Sequence, residues 1–372
     1  MKRFSIILFG ALAILMASCS KHAQPEPEFE PWVKDLSLPV PIQFGTPDLL
    51  TPDTKAAPIT GTSDLIGKRI GVFAIDKDAA DWTSPEAVLM NNVSAGCDGS
   101  KITFNPAQYY PVKSNKNYTF YGYYVYSAAV GNESDFEPVP KMGESGYYVT
   151  LPMGNIDYLW AKAEVAEPYT NSNGTHDGFN ANYIREITKD AALTRMPSFD
   201  FSHITAGVDI VVKADETESG AIFSDIQICS IHVDDAVTQA KLCIAHKTAA
   251  KEGTFVAADA VRGQIQMTAG SNNTVWLQNA GGFTPTTEGV TVGHGLFLYP
   301  EASYKVTVYY LSNATNKKWT PFEFTTATLE AGKKYTYTLL FHSSKAIEIS
   351  VSVKGWATGS DSAMDNPMDT AK

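Results

Sequence analysis

The sequence predicts an all-β protein of two successive β-sandwiches. Three observations carry that expectation. Short apolar/polar alternations recur along the chain, the sharpest being Ile347, Ile349, Val351 and Val353 set against Glu348, Ser350, Ser352 and Lys354. Gly, Pro, Asn and Asp punctuate these runs at hairpin-like intervals, and helical periodicity is confined to a short piece near Asn182–Lys189. Charged residues make up only 19% of the chain against 44% hydrophobic, with 18 Tyr and 18 Phe, which suits buried sheets better than solvated helices.

Residues 1–19 stand apart from that fold. Lys2 and Arg3 precede an apolar run from Phe4 to Met16, too short to span a bilayer as a mature helix. The small residues Ala17 and Ser18 lie directly before Cys19, which is a lipobox pattern: the Cys19 thiol takes a diacylglycerol, and cleavage frees its amine for a further acyl chain. Each buried methylene contributes roughly 0.8 kcal/mol, so several acyl chains hold a protein on a membrane durably. An ordinary secretory signal is the other reading, and the scarcity and position of cysteine stand against it. Residues 20–35, rich in Pro and Glu, read as an extended tether. No second long apolar run follows, so the mature chain is expected to be soluble apart from its anchor. A net charge of −11 argues against nucleic acid as a partner.

From Leu36 the pattern is period two. Leu36, Leu38, Val40, Ile42 and Phe44 form one apolar face, and Pro39 and Pro41, which cannot donate ladder hydrogen bonds, make this an edge strand. Thr46 to Ser63 has no periodicity and reads as a mobile loop. Strand-like runs then occupy Arg69–Ile75, Lys101–Phe104, Tyr118–Tyr126, Tyr147–Leu151 and Tyr158–Val165, before the turn-rich Glu167–Arg195 closes a first domain of residues 36–195. The second domain, 196–357, carries Phe199–Val212, Phe223–Val233, Ala240–His246, Gln264–Thr268, Thr274–Gln278, Gly295–Tyr299, Tyr304–Leu311, Phe322–Thr326, Lys334–Phe341 and Ile347–Val353. A polar tail, 358–372, ends the chain.

Catalytic motifs are missing: there is no GxSxG, HExxH, Walker-type loop, EF-hand loop or zinc-like Cys/His spacing, so no enzyme, cofactor or metal is expected. Gly293-His294-Gly295 reads as a turn and His203 as a hydrogen-bonded structural histidine. Asp234-Asp235 with His232 is a cation candidate whose default is a solvated hairpin tip. Tyr109-Tyr110 and Tyr123-Tyr124 could stack on sugar rings or fill a core. Cys229 and Cys243 lie on neighbouring strand-like runs, either paired across a hairpin or buried as small apolar side chains; with Cys97 the count is odd.

One topological pattern points to function. The Leu36–Phe44 strand lies between the lipid anchor and Thr54-Lys55-Ala56-Ala57, which offers a basic residue to a trypsin-like protease. Cutting there would detach the chain from its anchor, and departure of the strand would uncover an apolar groove that templates a strand from another subunit. From spacing alone, an exposed loop lysine is the favoured reading of Lys55.

The order Val40-Pro-Ile-Gln-Phe44, Thr54-Lys-Ala56 and Leu65-Ile-Gly-Lys-Arg-Ile-Gly-Val-Phe-Ala74 resembles the opening of the fimbrillin family of Bacteroidales. Tyr109-Tyr-Pro111, Tyr118-Thr-Phe-Tyr-Gly-Tyr-Tyr124, Phe201-Ser-His203, Leu329-Glu-Ala-Gly-Lys-Lys-Tyr-Thr-Tyr337 and the closing Ile347–Val353 with Trp356 extend the resemblance from about Val40 to Trp356. It implies two transthyretin-like β-sandwich domains in a type V pilus subunit that works in cell adhesion, exported to the outer membrane as a lipoprotein and assembled by strand exchange. On this chain it implies lipidation at Cys19, processing between Lys55 and Ala56, and expulsion of the strand bearing Leu36, Leu38, Val40, Ile42 and Phe44. It also implies a donor region that includes Ile347, Ile349, Val351 and Val353. The partners implied are other fimbrial subunits, the outer membrane through the lipid, and a host or bacterial surface receptor. Lys55 stands where the family shows arginine, which leaves open a retained anchor, a tip subunit or a free-standing surface lipoprotein that binds glycans without polymerising. Asp361-Ser362-Ala363 and Asp369-Thr370-Ala371 resemble a short O-glycosylation sequon of the same bacteria. If Ile349 and Val351 act as donors, their replacement by Asp should abolish polymers while sparing secretion.

Overall fold

The computed structural model describes residues 29–45, 48–49, 65–98, 101–114, 116–126, 141–143, 145–166, 168–171, 174–189, 196–217, 226–268, 284–300, 302–311, 319–342, 346–355 and 366–367. Cys19, Lys55, Ala56, the Thr274–Gln278 run and both tail sequons lie outside them.

The described chain opens with a helical turn, α1 (Pro31–Lys34), then β1 (Val40–Pro41) and β2 (Asp48–Leu49). Next come β3 (Arg69–Asp76), β4 (Val88–Cys97), β5 (Ile102–Phe104), β6 (Tyr109–Tyr110) and β7 (Tyr118–Tyr124). After β8 (Lys141–Gly143), β9 (Gly146–Pro152) and β10 (Leu159–Ala163), a small hairpin of β11 (Tyr169–Asn171) and β12 (Gly174–His176) leads to the helix α2 (Ala181–Lys189) and β13 (Asp200–His203). A seven-stranded sheet has the order β2-β13-β10-β7-β3-β4-β5, while β1 has β6 as its one strand partner among the described residues.

The later strands are β14 (Ala206–Ala214), β15 (Gln227–His246), β16 (Phe255–Thr268), β17 (Val290–Leu298), β18 (Lys305–Leu311), β19 (Trp319–Thr325), β20 (Lys333–Phe341), β21 (Ile347–Gly355) and β22 (Asn366–Pro367). They form one sheet ordered β17-β14-β20-β21-β22 and another ordered β19-β18-β15-β9-β8, with β16 also on β15. Alternate residues of the two sheets, such as Val208, Ile210 and Leu339 against Ile231, Val306 and Val308, fill a core between them.

The first sheet is buried on both faces. From β3 and β7, Val72, Ala74 and Phe120 face a core shared with α2 and the N-terminal segment. Phe73, Ile75, Tyr121 and Tyr123 face the opposite way, onto Val149 and Leu151 of β9 and Ala240 and Leu242 of β15. The near-continuous apolar runs of β3 and β7 follow from this double burial.

Several local expectations are corrected by this arrangement. The described part of the first run, from Gln227 to Val233, and the run at 240–246 are not neighbouring strands but parts of one strand of 20 residues. Its first part pairs with β18 and its last part with β9, so β9 from the first half of the sequence joins a sheet of later strands. Asp234-Asp235 is a bulge within β15, where the register shifts between Val233 and Ala236 and Asp235 has φ of 49°, not a hairpin tip. Gly293-His294-Gly295 likewise lies inside β17 at a register shift, and Gly295 supplies the φ of 68° it requires, so it is a bulge rather than a turn. At the chain's start, α1 replaces the end of the expected extended tether, and Val33 is buried.

Candidate functional site

The N-terminal segment and its seat form the candidate site. Val40 is fully buried (0% exposed) and pairs with Tyr110, while Pro41 pairs with Tyr109. Pro41 sits between the hydrogen-bonded positions 40 and 42, so its missing N–H weakens the outer edge of the segment and not this ladder. Ile42 continues with one further bond, its N–H donating to the Gln108 carbonyl at 2.8 Å, and Gly45 N–H donates to the Pro197 carbonyl at 2.9 Å. Phe44 enters an aromatic cluster, with ring centroids 4.7 Å from Phe199, 5.1 Å from Phe120 and 5.9 Å from Phe104. Beside it a cleft of about 340 Å³ is lined by Ile42, Gln43 and Phe44 on one side and by Lys101, Ile102 and Phe104 on the other.

The five apolar residues expected on one strand face divide into two groups. Val40, Ile42 and Phe44 are buried, but Leu36 is 64% exposed and Leu38 half-buried. The cause is local. The Asp35 carboxylate accepts hydrogen bonds from Ser37 N–H at 2.8 Å and Ser37 Oγ at 2.6 Å, which hold its pKa below the usual carboxylate value and turn the chain before it can extend.

The helix α2 supplies the other wall. Asn180 Oδ1 accepts from Tyr183 N–H at 2.9 Å, the capping bond that starts the helix. Tyr183, Ile184 and Ile187 then face the core. So does Arg185, which is 1% exposed. Its Nε donates to the Trp32 carbonyl at 2.9 Å and its Nη2 to the Leu38 carbonyl at 2.7 Å. Sequence reasoning missed Arg185. Its only outward signal was an arginine among the apolar positions of the one helical stretch.

The Ile347–Val353 stretch lies within β21, which pairs along its whole length with β20, from Phe341↔Ile347 to Lys333↔Gly355. Ile349 and Val351 are 8% and 6% exposed in the core of their own subunit. On the other edge β22 covers only Ser350 and Val351. At the mouth of the β20–β21 hairpin His342 bridges Asp215 and Glu348, which raise its pKa, while Asp215 falls to about 2 chiefly through its hydrogen bonds from Thr217.

The remaining sequence candidates are dispersed. His203 is a buried structural histidine, Nδ1 lying 2.9 Å from Asp157. Tyr110 and Tyr123 are core residues, and Tyr109, 48% exposed, is the exposed member of its pair. Cys229 and Cys243 are free and sit fourteen positions apart on β15, so they cannot pair across a hairpin. Among the described residues no cluster of three His, Cys, Asp or Glu could hold a metal. No described helix is long and apolar enough to cross a membrane. A second cleft, of about 590 Å³, is lined by Tyr148, Lys241, Cys243, Lys251, Phe255 and Asp259. Lys241 is held there by Asp259 at 3.0 Å and lies 4.9 Å from the Tyr148 ring centroid.

No curated protein matches the chain significantly. Among solved structures, it is similar to a fimbrial protein from Bacteroides vulgatus, with a TM-score of 0.51 and 15% identity over 84% of this chain and 99% of that one. It is also similar to a candidate cell adhesion protein from Bacteroides uniformis, with a TM-score of 0.49 and 17% identity over 86% and 99%. The fimbrial anchor protein Mfa2 from Porphyromonas gingivalis matches with a TM-score of 0.34 and 11% identity over 86% and 98%. At such identities the first likeness speaks for the fold alone. The fimbrillin-like family pattern, in contrast, matches residues 60–356, and with most of its length covered this chain belongs to the fimbrillin-like family.

Proposed function

We propose that this chain is a fimbrial subunit with a role in adhesion, exported to the outer membrane as a lipoprotein through Cys19 and cut between Lys55 and Ala56. It then polymerises when the Val40–Phe44 segment gives way to a strand from a second copy. The observation that supports the reading is the imbalance in how this segment is held. Val40, Ile42 and Phe44 fill the N-terminal core, yet the ladder that holds them is two residues long. Burial of three such side chains contributes roughly 1.5–3 kcal/mol each, so the emptied groove would strongly favour any strand that refills it. A longer replacement strand would regain that burial and add main-chain bonds.

The donor is proposed to lie beyond β21, because Ile349 and Val351 are buried in the core of their own subunit. Ile347, Ile349, Val351 and Val353 cannot be donated without opening their own core, so the donor is assigned to the residues that follow Gly355, with β21 as their fixed base.

The test is N-terminal sequencing of the mature surface protein combined with gels run without boiling. A start at Ala56 and a ladder of polymers, both lost in Lys55→Gln, are expected. A mature chain blocked at Cys19 that never polymerises would overturn the reading. A second reading, a glycan-binding surface lipoprotein, is favoured by the Tyr148–Lys241–Phe255 cleft, whose aromatic and charged walls suit an acidic sugar. Saturable glycan binding lost in Lys241→Ala, without polymers, would select it.

A further inference from the structure

A buried guanidinium needs acceptors for its five N–H donors, and a carboxylate is the usual supplier. Arg185 makes no carboxylate bond among the described residues. Its Nε and Nη2 are satisfied instead by the main-chain carbonyls of Trp32 and Leu38, with those of Asp35 and Leu36 each 3.5 Å from Nη2. Nη1 is buried with no partner among the described residues. Every acceptor among the described residues therefore lies between Trp32 and Leu38, upstream of Lys55, in the piece that the cut would free.

These carbonyls converge because the chain is not extended there. In a strand, successive carbonyls point alternately to opposite edges. The α1 turn and the Asp35–Ser37 turn bend residues 32–38 so that several carbonyls face one point. The seat thus has two readers. Apolar pockets read the side chains of Val40, Ile42 and Phe44, and the guanidinium reads main chain.

We propose that Arg185 is the latch of this groove: it retains residues 32–38 by their backbone and, once they leave, favours a replacement from a second copy whose chain brings carbonyl oxygens to the same point. The second half of this inference rests on the strand-replacement reading; the retention half stands without it. Recognition through carbonyls leaves the occupant's side chains unconstrained at that end, while an apolar strand without the turn would leave the guanidinium buried and bare.

The test uses the full chain carrying a site-specific protease sequence within residues 51–64. After one cut, release of the N-terminal fragment is followed by exchange with a labelled synthetic peptide, Phe29–Gly45. Loss of charge-assisted bonds in Arg185→Met should speed release by roughly tenfold to a hundredfold, with Arg185→Lys between it and wild type. A shorter peptide, Val40–Gly45, should bind the wild type and Arg185→Met equally. Where Arg185→Met does not fold, the conservative Arg185→Lys decides: its fragment should be released several-fold faster than that of the wild type. Release within twofold of wild type for Arg185→Met, or equal dissociation of the two peptides, would overturn the latch. Exchange that depends on Arg185 in a chain that never polymerises would leave the latch standing and remove the fimbrial reading. Polymers from a chain whose exchange ignores Arg185 would do the reverse.

Discussion

Phe44 and Leu36 share one face of the period-two pattern in the sequence, and the structure separates them, so replacing each by Ala gives unlike results. Phe44 is buried and meets three aromatic rings, the nearest with centroids 4.7 Å apart. Truncating a core Phe to Ala costs about 3–5 kcal/mol, of which part is the cavity left behind. The cleft of about 340 Å³ that borders Phe44 lets Ile42 and Phe104 shift into the gap, so the cost falls near the lower end, about 3 kcal/mol. Leu36 is 64% exposed, and its loss costs less than about 0.5 kcal/mol. The assay is urea unfolding of the uncut chain followed by tryptophan fluorescence, with the half-buried Trp32 as a nearby reporter. With a urea slope of about 3 kcal/mol per molar, Phe44→Ala lowers the midpoint by about 1 M and Leu36→Ala leaves it almost unmoved. A loss under about 1 kcal/mol for Phe44→Ala, or equal losses for the two, would refute the placement of Phe44 in the core.

Val351→Asp should do more than block assembly. It puts a carboxylate without a partner into a core site that is 6% exposed, at a cost of several kcal/mol, so the C-terminal sandwich unfolds and secreted protein falls on immunoblots. Normal secretion would show that the side chain is not committed to its own core. His342, raised by Asp215 and Glu348, stabilises fully below its ordinary value of 6.5 and loses that contribution as pH rises through its elevated pKa. Asp215, lowered to about 2, contributes above its ordinary 3.8 and loses it as pH falls toward 2, so the hairpin mouth is tightest between about pH 4 and 6.5. An NMR titration should place His342 above 6.5, and Asp215→Asn should bring it back toward that value. Burial lifts the Cys243 thiol to about 11, so it should resist alkylation at pH 8 in the native chain and react after unfolding; rapid native labelling would contradict its burial.

Alternation and turn chemistry made the strands legible. β3, β7, β10, β18, β20 and β21 fall where period-two or apolar runs place them, and α2 where a helix was expected. What escaped was set by distant partners. β4 was missed because Asn92, at φ of 52°, and the register shifts beside it break the alternation that marks a strand. β15 looked like two strands because a bulge at Asp234-Asp235 interrupts its pattern. The place of β9 depends on contacts with residues nearly a hundred positions later, which no local window contains. At the candidate site the burial of Val40, Ile42 and Phe44 was legible. The turn through Asp35 was not, because a side-chain bond from Ser37 outweighs an alternation that otherwise continues through Leu36.

The contrast between β1 and β21 shows what a period-two pattern omits. Both runs alternate cleanly, and both bury part of one apolar face. Alternation reports how many faces are buried, not how many main-chain neighbours a strand has. β21 has a partner along all nine of its residues, whereas β1 has one along two. At about 1 kcal/mol net for each backbone hydrogen bond, this difference in ladder length outweighs the modest difference in buried side chains. Under the proposed strand replacement, the run that leaves is the one with the shorter described ladder, its burial confined to Val40, Ile42 and Phe44.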